Sequence, residues 1–283
     1  MRPSSSDSSP SARRTTDLPL VDSPDRVTLV ERLRSAGCVY AEDEVEVLLG
    51  SALTSIELEQ MVEQRVAGTP LEQIVGWAEF AGMRVVVDPG VFVPRRRTEL
   101  LLRQALVLAP PQPLIVELCC GSAALSFALG SVLTDSELYA IDIDTAAARC
   151  AGRNLARLPG SAQVFRGDLY EPLPASLAGR IDVLLANAPY VPTGSMSLMP
   201  REARLYEPRI ALDGGSDGLD VQRRIAAGAT RWLTPDGHLL LETSRSQAAM
   251  SVAILERYGL ASEIVRSDEL EATAVIASQR AAR

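Results

Sequence analysis

The sequence is short of positive charge, cysteine and histidine, and it contains no long apolar run. Its 28 Lys and Arg residues against 36 Asp and Glu residues give a formal net charge of −8, the wrong sign for gripping a polyphosphate backbone over a broad surface. No apolar run reaches the roughly 18 residues of a membrane-spanning helix, and the N-terminus lacks a signal-peptide stretch. Four cysteines in 283 residues do not make a secreted disulfide framework. Nucleic acid and membranes are therefore disfavoured as partners, and we expect a cytoplasmic protein.

The scarcity of histidine and cysteine also limits the chemistry. Cys119 and Cys120 are adjacent, but no second cluster supplies the remaining ligands of a metal site. His238, the only histidine, lies between a turn and an apolar strand, a position typical of a structural residue. We therefore predict no metal and no histidine general base.

The rest of the composition is that of a folded α/β protein. Hydrophobic residues make up 47 % of the chain and charged residues 23 %, near globular averages. Residues 1–24 are rich in Ser, Pro and Arg and have too little apolar content to offset ordering entropy, so they predict a disordered tail. We expect an N-terminal helical domain over residues 25–75, a linking β-hairpin over 76–94 and a larger domain over 95–283.

Local signals place the first helices. Apolar residues at helical spacing predict three short helices between residues 25 and 68. Thr54 and Glu57 have the spacing of a capping box, which predicts a helix start there, and Gly68 with the following Thr and Pro predicts its end.

Short apolar runs then predict strands. Runs 85–87 and 91–93, separated by the turn pair Pro89-Gly90, predict the two strands of the linking hairpin. Beyond it, helical segments alternate with strands, which favours βαβ units in a parallel sheet with helices on both faces. These predicted strands are 114–118, 138–143, 163–166, 183–186 and 238–242. Two more, 261–266 and 272–277, are too close together for a helical crossover and are expected to pair antiparallel.

Polar residues follow the strands of this predicted sheet, where ligands bind in open α/β folds. The first strand runs through Glu117 into a small-residue turn, the second ends near Asp142, Asp168 follows the third, and Asn187-Ala-Pro-Tyr follows the fourth. An acid about twenty residues beyond the first turn is placed to accept both hydroxyl hydrogens of a ribose. Asp142 fits that role, although helix capping is the alternative for any Asp after a strand.

Longer motifs resemble a known family. They are FVPRRRTE at 92–99, NAPYVP at 187–192, EPRIALDGGSDGL at 207–219 and LTPDGHLLLE at 233–242. On these motifs the chain resembles class I, Rossmann-like methyltransferases that use S-adenosylmethionine, and more closely the bacterial protein glutamine-N5 methyltransferases that modify peptide-chain release factors. The resemblance implies S-adenosyl-L-methionine as the cofactor and a release-factor-like protein as the partner, with the N-terminal helices as a docking module.

The resemblance also implies roles for individual residues. In it, Glu117 and the turn after it lie against the methionine and sugar, Asp142 binds the ribose hydroxyls and Asp168 the adenine amino group. The implied cofactor-binding set is Glu117, Cys119, Gly121, Asp142, Ile143, Asp168, Leu169 and Asn187. The implied catalytic set is Asn187, Ala188, Pro189 and Tyr190, and the implied substrate set is Arg95, Thr98, Glu207, Pro208 and Arg209. The segment from Glu207 to Gly218 is expected to be a substrate-side lid.

An amide nitrogen is a poor nucleophile because its lone pair is delocalised into the carbonyl. The side-chain oxygen of Asn187 and the backbone carbonyl of Ala188 can each accept one amide hydrogen, which would aim the nitrogen at the methyl carbon. In the implied mechanism, Tyr190 offers a flat wall to the planar amide.

The chain departs from the family pattern at three places. Cys119 and Ala123 stand where glycine is typical, Ala188 replaces a proline, and Arg96 and Arg97 replace a proline and an acid. These departures leave open an amide or amine methyltransferase acting on a small molecule or peptide in secondary metabolism. Two further alternatives are an adenine-N6 methyltransferase of nucleic acid and a degenerate binding protein without catalysis.

Overall fold

The computed structural model describes residues 25–279, so the predicted tail at 1–24 lies outside the described residues. The chain divides into two compact units, Met1–Glu63 and Gln64–Arg283. This division falls at residue 63, inside a helix, whereas the sequence predicted a boundary at residue 75. The hairpin therefore belongs to the larger unit.

The smaller unit is helical, as the apolar spacing predicted. It contains α1 (Arg26–Ser35), α2 (Ala41–Ser51) and the first part of α3 (Ser55–Ala67). Thr54 caps the helix as predicted, since its Oγ1 accepts the N–H of Glu57 at 3.1 Å, and the Glu57 carboxylate accepts the N–H of Leu53, one residue before the cap, at 2.8 Å. The helix ends before Gly68, whose φ of 100° suits a residue without a Cβ.

The larger unit begins with the end of α3 and α4 (Leu71–Val75). Its remaining helices are α5 (Glu99–Leu108), α6 (Ala124–Val132), α7 (Thr145–Leu155), α8 (Arg201–Tyr206), α9 (Asp220–Trp232) and α10 (Ala248–Arg257). Its strands are β1 (Trp77–Phe80), β2 (Met83–Val86), β3 (Leu114–Leu118), β4 (Glu137–Asp142), β5 (Ser161–Arg166), β6 (Ile181–Ala186), β7 (Leu233–Thr243), β8 (Leu260–Ser267) and β9 (Ala272–Gln279).

The hairpin is present and the predicted strand at 85–87 overlaps β2, but the partner of β2 is β1, which precedes it, and not the predicted strand that follows it. β1 pairs antiparallel with β2 through a two-residue turn, in which Ala81 and Gly82 have φ of 51° and 74°, the sign that a type I′ hairpin turn requires. The predicted second strand at 91–93 is not a strand. Its N–H groups are used elsewhere: Val91 donates to the carbonyl of Asp88 at 3.0 Å and Val93 to the carboxylate of Glu207 at 3.3 Å.

The central sheet has the order β5-β4-β3-β6-β7-β9-β8. The pairs from β5 to β7 are parallel, and β9 runs antiparallel to both β7 and β8, which confirms the predicted parallel sheet and antiparallel C-terminal pair. Because β3 is followed by β4 and β5 on one side and β6 lies on the other, the chain reverses direction across the sheet between β3 and β6. A ligand cleft is expected at this switch point.

Alternate residues of the buried strands supply two separate cores. On β3, Ile115 packs in the cluster that contains α5, α6 and α7 residues, whereas Val116 packs in the cluster that contains α9 and α10 residues. Since successive strand side chains point to opposite faces, both faces are covered by helices. Among residues 25–279, no helix is long and apolar enough to cross a membrane.

Candidate active site

A cleft with a volume of about 220 Å³ is lined by residues that follow β3, β4, β5 and β6. All eight residues predicted to bind a cofactor line it: Glu117, Cys119, Gly121, Asp142, Ile143, Asp168, Leu169 and Asn187. A mainly apolar wall comes from the hairpin and the segment after it, through residues 80, 90–92 and 94. The sheet has therefore brought together the strand-end residues that the sequence separates by up to 70 positions.

The turn after β3 has an unusual backbone. Cys119, Gly121 and Ala123 have φ of 54°, 56° and 58°, in the left-handed region where a Cβ costs roughly 1–2 kcal/mol. This explains why glycine suits positions 119 and 123. Ala123 is fully buried and does not line the cleft, whereas Cys119 does, so Cys119 is the substitution that adds a side chain to the cleft wall.

The cysteine pair has the properties of packing residues. Burial raises the pKa of the Cys119 and Cys120 thiols well above the ordinary 9.0, so both are neutral and poor metal ligands or nucleophiles. Within the described residues, no group of three or more His, Cys, Asp or Glu side chains is arranged to hold a metal ion.

Glu117 is a buried carboxyl group at the end of β3. It is 4 % exposed, and its Oε2 accepts hydrogen bonds from the backbone N–H of Ser126 at 2.8 Å and from the Ser126 hydroxyl at 2.5 Å. Burial raises its pKa to about 7, and the nearby Asp142 charge adds to this, although the Ser126 bonds oppose it. A positive charge bound nearby would therefore lower this pKa and ionise the carboxyl group.

Asp142 is held in place from two sides. Its Oδ2 accepts the N–H of Gly121 at 2.8 Å and its Oδ1 accepts the N–H of Asp144 at 2.9 Å. Burial raises the pKa of Asp142, and these backbone hydrogen bonds oppose it. Each oxygen keeps a further lone pair, so the fixed carboxylate can accept two more hydrogens, as a vicinal diol requires.

Asp168 has a partner that the sequence did not indicate. Its Oδ2 accepts a hydrogen bond from Arg224 Nη2 at 2.8 Å, and Arg224 also lines the cleft. The preceding Arg223 instead pairs with Asp217 and Asp220. Because Arg223 and Arg224 are adjacent on α9, the sequence alone does not indicate which of them pairs with Asp168.

The Asn187–Tyr190 segment is divided between the cleft and a buried network. Asn187 and Pro189 line the cleft, whereas Ala188 is 2 % exposed and lies outside the lining. Tyr190 also lies outside the lining, so the expected flat wall is not formed by its ring in this structure. Its hydroxyl donates to Glu242 Oε1 at 3.2 Å, and burial raises the pKa of that phenol.

Glu242, at the end of β7, was missed as a site residue. It is 2 % exposed and accepts hydrogen bonds from Arg97 Nε at 3.0 Å and from the Thr98 hydroxyl at 2.6 Å. Thr98 in turn accepts from Asn187 Nδ2 at 3.3 Å. In the sequence, Glu242 ends the LTPDGHLLLE motif, but the motif does not indicate which residues bind this carboxylate. Arg97 therefore pairs with a buried acid although 44 % of its own side chain is exposed, and 73 % of the Arg96 side chain is exposed.

The predicted substrate residues separate into two groups. Thr98 and Pro208 line the cleft, but Arg95, Glu207 and Arg209 do not. Arg95 donates to Glu207 at 2.5 Å, where burial raises the pKa of the carboxyl group and the Arg95 charge lowers it. Arg209 pairs with Asp213 at 2.8 Å. Substrate roles for these three residues stay predictions.

The expected lid segment lines the cleft through Pro208, Ile210 and Ala211 and is hydrogen-bonded to the residue that follows Tyr190. Val191 donates to the carbonyl of Leu212 at 3.0 Å and accepts from the N–H of Gly214 at 2.9 Å. A Cβ at Gly218, where φ is 80°, would collide with the backbone oxygen of Tyr190. These glycines therefore permit close backbone contact that supports the polar segment.

Comparisons with known proteins agree on the class of fold and enzyme. Residues 82–202 match the family model of the methyltransferase small domain. The chain is 36 % identical over 199 residues to the release factor glutamine methyltransferase of Geobacter sulfurreducens, covering 70 % of this chain and 69 % of that protein. The enzyme of the same name from Moorella thermoacetica is 36 % identical over 240 residues, covering 77 % and 83 %. A 4-amino-L-phenylalanine/4-methylamino-L-phenylalanine methyltransferase of Streptomyces pristinaespiralis is also 36 % identical, covering 70 % and 69 %.

Solved structures show the same fold at low identity. A methyltransferase from Pyrococcus furiosus matches with a TM-score of 0.54 and 13 % identity, covering 70 % of this chain and 89 % of that one. A 16S rRNA methyltransferase of T. thermophilus, solved with AdoMet and guanosine, matches with a TM-score of 0.51 and 21 % identity, covering 72 % and 50 %.

Proposed function

Since this chain belongs to the release factor glutamine methyltransferase family, whose members are S-adenosylmethionine-dependent methyltransferases, we propose that it methylates the side-chain amide nitrogen of a glutamine in a release-factor-like protein. The observation that carries the proposal is the position of Asn187, which follows β6 and lines a cleft shared with Glu117, Asp142 and Asp168.

The cleft fits the cofactor of the family. Four carboxyl groups line it, those of Glu117, Asp142, Asp144 and Asp168, and S-adenosylmethionine bears positive charge on its sulfur and amino group, so the electrostatics are complementary. When bound, the cofactor supplies an electrophilic methyl group. In our proposal Glu117 and the turn at 119–121 face the methionine part, Asp142 accepts from the ribose hydroxyls and Asp168 accepts from the adenine amino group. Ile143 and Leu169 then contact the adenine ring.

The chain's own residues position the substrate nitrogen. The Asn187 side-chain oxygen and the Ala188 carbonyl would each accept one amide hydrogen, which orients the nitrogen and favours its pyramidal, reactive form. Pro189 has no N–H to compete for these acceptors. Since Ala188 contributes its backbone carbonyl, the replacement of the usual proline keeps the acceptor.

The test is methyl transfer by the full chain to a purified release factor, with the modified glutamine identified by mass spectrometry. Asn187→Ala is expected to abolish transfer while leaving the affinity for the demethylated cofactor product nearly unchanged in calorimetry. Cofactor binding without methylation of any protein amide would refute the proposed substrate. No cofactor binding by folded protein would instead favour the non-catalytic alternative.

An aromatic amine is the second candidate acceptor, because the Streptomyces pristinaespiralis relative is as similar in identity as the glutamine-modifying relatives. An aromatic amino group also offers two hydrogens to the same pair of acceptors. Faster turnover of free aromatic amines than of a release factor, measured side by side, would establish this candidate over the first.

A further inference from the structure

A chain of hydrogen bonds joins Asn187 to the buried carboxylate of Glu242, which forms an ion pair with Arg97. Asn187 Nδ2 lies 3.3 Å from Thr98 Oγ1, and Thr98 Oγ1 lies 2.6 Å from Glu242 Oε2. The other carboxylate oxygen, Oε1, receives Arg97 Nε at 3.0 Å and the Tyr190 hydroxyl at 3.2 Å. Thr98 and Glu242 are 5 % and 2 % exposed, so water has little access to the hydrogen bond between these two side chains.

The protons in this chain can be assigned from its chemistry. A carboxylate only accepts hydrogen bonds, so the Thr98 hydroxyl must donate its one proton to Glu242. The Thr98 oxygen can then only accept, and the group of Asn187 that faces it must be the NH₂. The side-chain oxygen of Asn187 is thereby left for the cleft, where it acts as an acceptor.

We propose that Thr98 and Glu242 are positioning residues that fix which end of the Asn187 amide faces the substrate nitrogen. The consequence for catalysis rests on the proposed function, because an acceptor is needed there only for a substrate that brings N–H groups. The orientation itself depends only on the hydrogen-bond chain. Arg97 and Tyr190 contribute by occupying Oε1, which leaves Oε2 for Thr98.

Thr98→Val and Thr98→Ser form a matched pair of variants. Valine keeps the shape and removes the hydroxyl, which leaves the Asn187 NH₂ facing a methyl group without a partner. Because a buried unsatisfied donor is unfavourable, the amide is expected to turn its NH₂ toward the cleft, and kcat is expected to fall about ten-fold or more. Serine keeps the hydroxyl, so Thr98→Ser is expected to recover most of the kcat that Thr98→Val loses.

Glu242→Gln is expected to reverse the donor and the acceptor in each hydrogen bond from residue 242 to Asn187 without breaking these bonds. Arg97 and Tyr190 require an acceptor at Oε1, so the new NH₂ takes the place of Oε2 and donates to Thr98. Thr98 then donates to Asn187, and the Asn187 oxygen turns away from the cleft. We expect kcat to fall as in Thr98→Val, while the affinity for the demethylated cofactor product stays within about two-fold.

The orientation can be measured without any methyl acceptor. The chain contains two asparagines, Asn154 and Asn187, so selective ¹⁵N-asparagine labelling gives two side-chain NH₂ signals in an NMR spectrum. Asn154 donates to the carbonyls of Val86 and Ser122 at 2.9 Å and 2.8 Å and serves as the internal control. The Asn187 signal, identified by its loss in Asn187→Asp, is expected to move in Thr98→Val and Glu242→Gln but not in Thr98→Ser.

The outcomes separate the inference from the proposed function. If Thr98→Val leaves the Asn187 signal unchanged, or lowers kcat no more than Thr98→Ser does, the positioning role is wrong. If the unchanged protein methylates no protein amide, the proposed function fails, and the NMR signals still decide the orientation of Asn187. Equal movement of the Asn154 signal in Thr98→Val would show a general structural effect and would also overturn the inference.

Discussion

Replacing Glu117 by glutamine is expected to stabilise the cofactor-free protein and weaken cofactor binding. Burial raises the pKa of this carboxyl group from an ordinary 4.5 to about 7. At about 1.4 kcal/mol for each pKa unit, ionising it in the folded protein at pH 8 costs about 3 kcal/mol. Glutamine keeps an oxygen for the two hydrogen bonds from Ser126 and carries no charge.

The sign of the pH dependence follows from the raised pKa. The stability associated with this carboxyl group is fully present below pH 4.5 and is lost as the pH rises through about 7. Glu117→Gln should therefore unfold at a higher temperature than the unchanged protein at pH 8, with the difference shrinking toward pH 5. The figure of about 3 kcal/mol is the largest gain expected.

Cofactor binding should respond in the opposite direction. A positively charged ligand stabilises ionised Glu117, so the unchanged protein should bind S-adenosylmethionine more weakly below pH 7. Glu117→Gln should bind it about ten-fold more weakly at pH 8 and show a flatter pH profile.

Two measurements check this prediction, thermal unfolding without cofactor and calorimetric titration with it, each at pH 8 and pH 5. Glu99→Gln is the control, because the Glu99 carboxylate also accepts a backbone hydrogen bond, from Ala81 at 3.2 Å, but is only partly buried. The reasoning is refuted if Glu117→Gln is no more stable than the unchanged protein at pH 8, or if its stability difference does not depend on pH.

Three further changes have specific expected outcomes. Gly218→Ala should destabilise the protein by about 1–3 kcal/mol more than Gly82→Ala in denaturant unfolding, since both have positive φ but only Gly218 is crowded; equal losses would contradict this. Asp142→Asn should weaken cofactor binding about ten-fold, because its new NH₂ must face a backbone N–H; unchanged calorimetric affinity would remove Asp142 from the cofactor site. Arg224→Met should lower that affinity several-fold and Arg223→Met should not, since only Arg224 pairs with an acid that lines the cleft; equal effects would contradict the assignment.

The strands of the main sheet could be predicted because their signals are local. Short apolar runs separated by helical segments located β3 to β7, two further runs located β8 and β9, and the rule that ligands bind at strand ends pointed to Glu117, Asp142 and Asp168. In the hairpin, the predicted strand at 85–87 overlaps β2, but the predicted strand at 91–93 was wrong. Val91–Val93 has the composition of a strand, but composition does not show that its N–H groups bond to Asp88 and Glu207 instead of to a neighbouring strand.

The sequence by itself determined the order of elements, the family and eight residues that line the cleft, because these depend on periodicity and on motifs of adjacent residues. Only the tertiary structure decided which charged side chains of the site pair with each other. Arg97 and Glu242 are 145 positions apart, and Asp168 and Arg224 are 56 apart. Such pairs depend on the strand order and on the rotation of each helix over the sheet, which are fixed by packing of the whole unit. For that reason the hydrogen bonds that join Asn187 to Thr98 and Thr98 to Glu242 could be identified only from the tertiary structure.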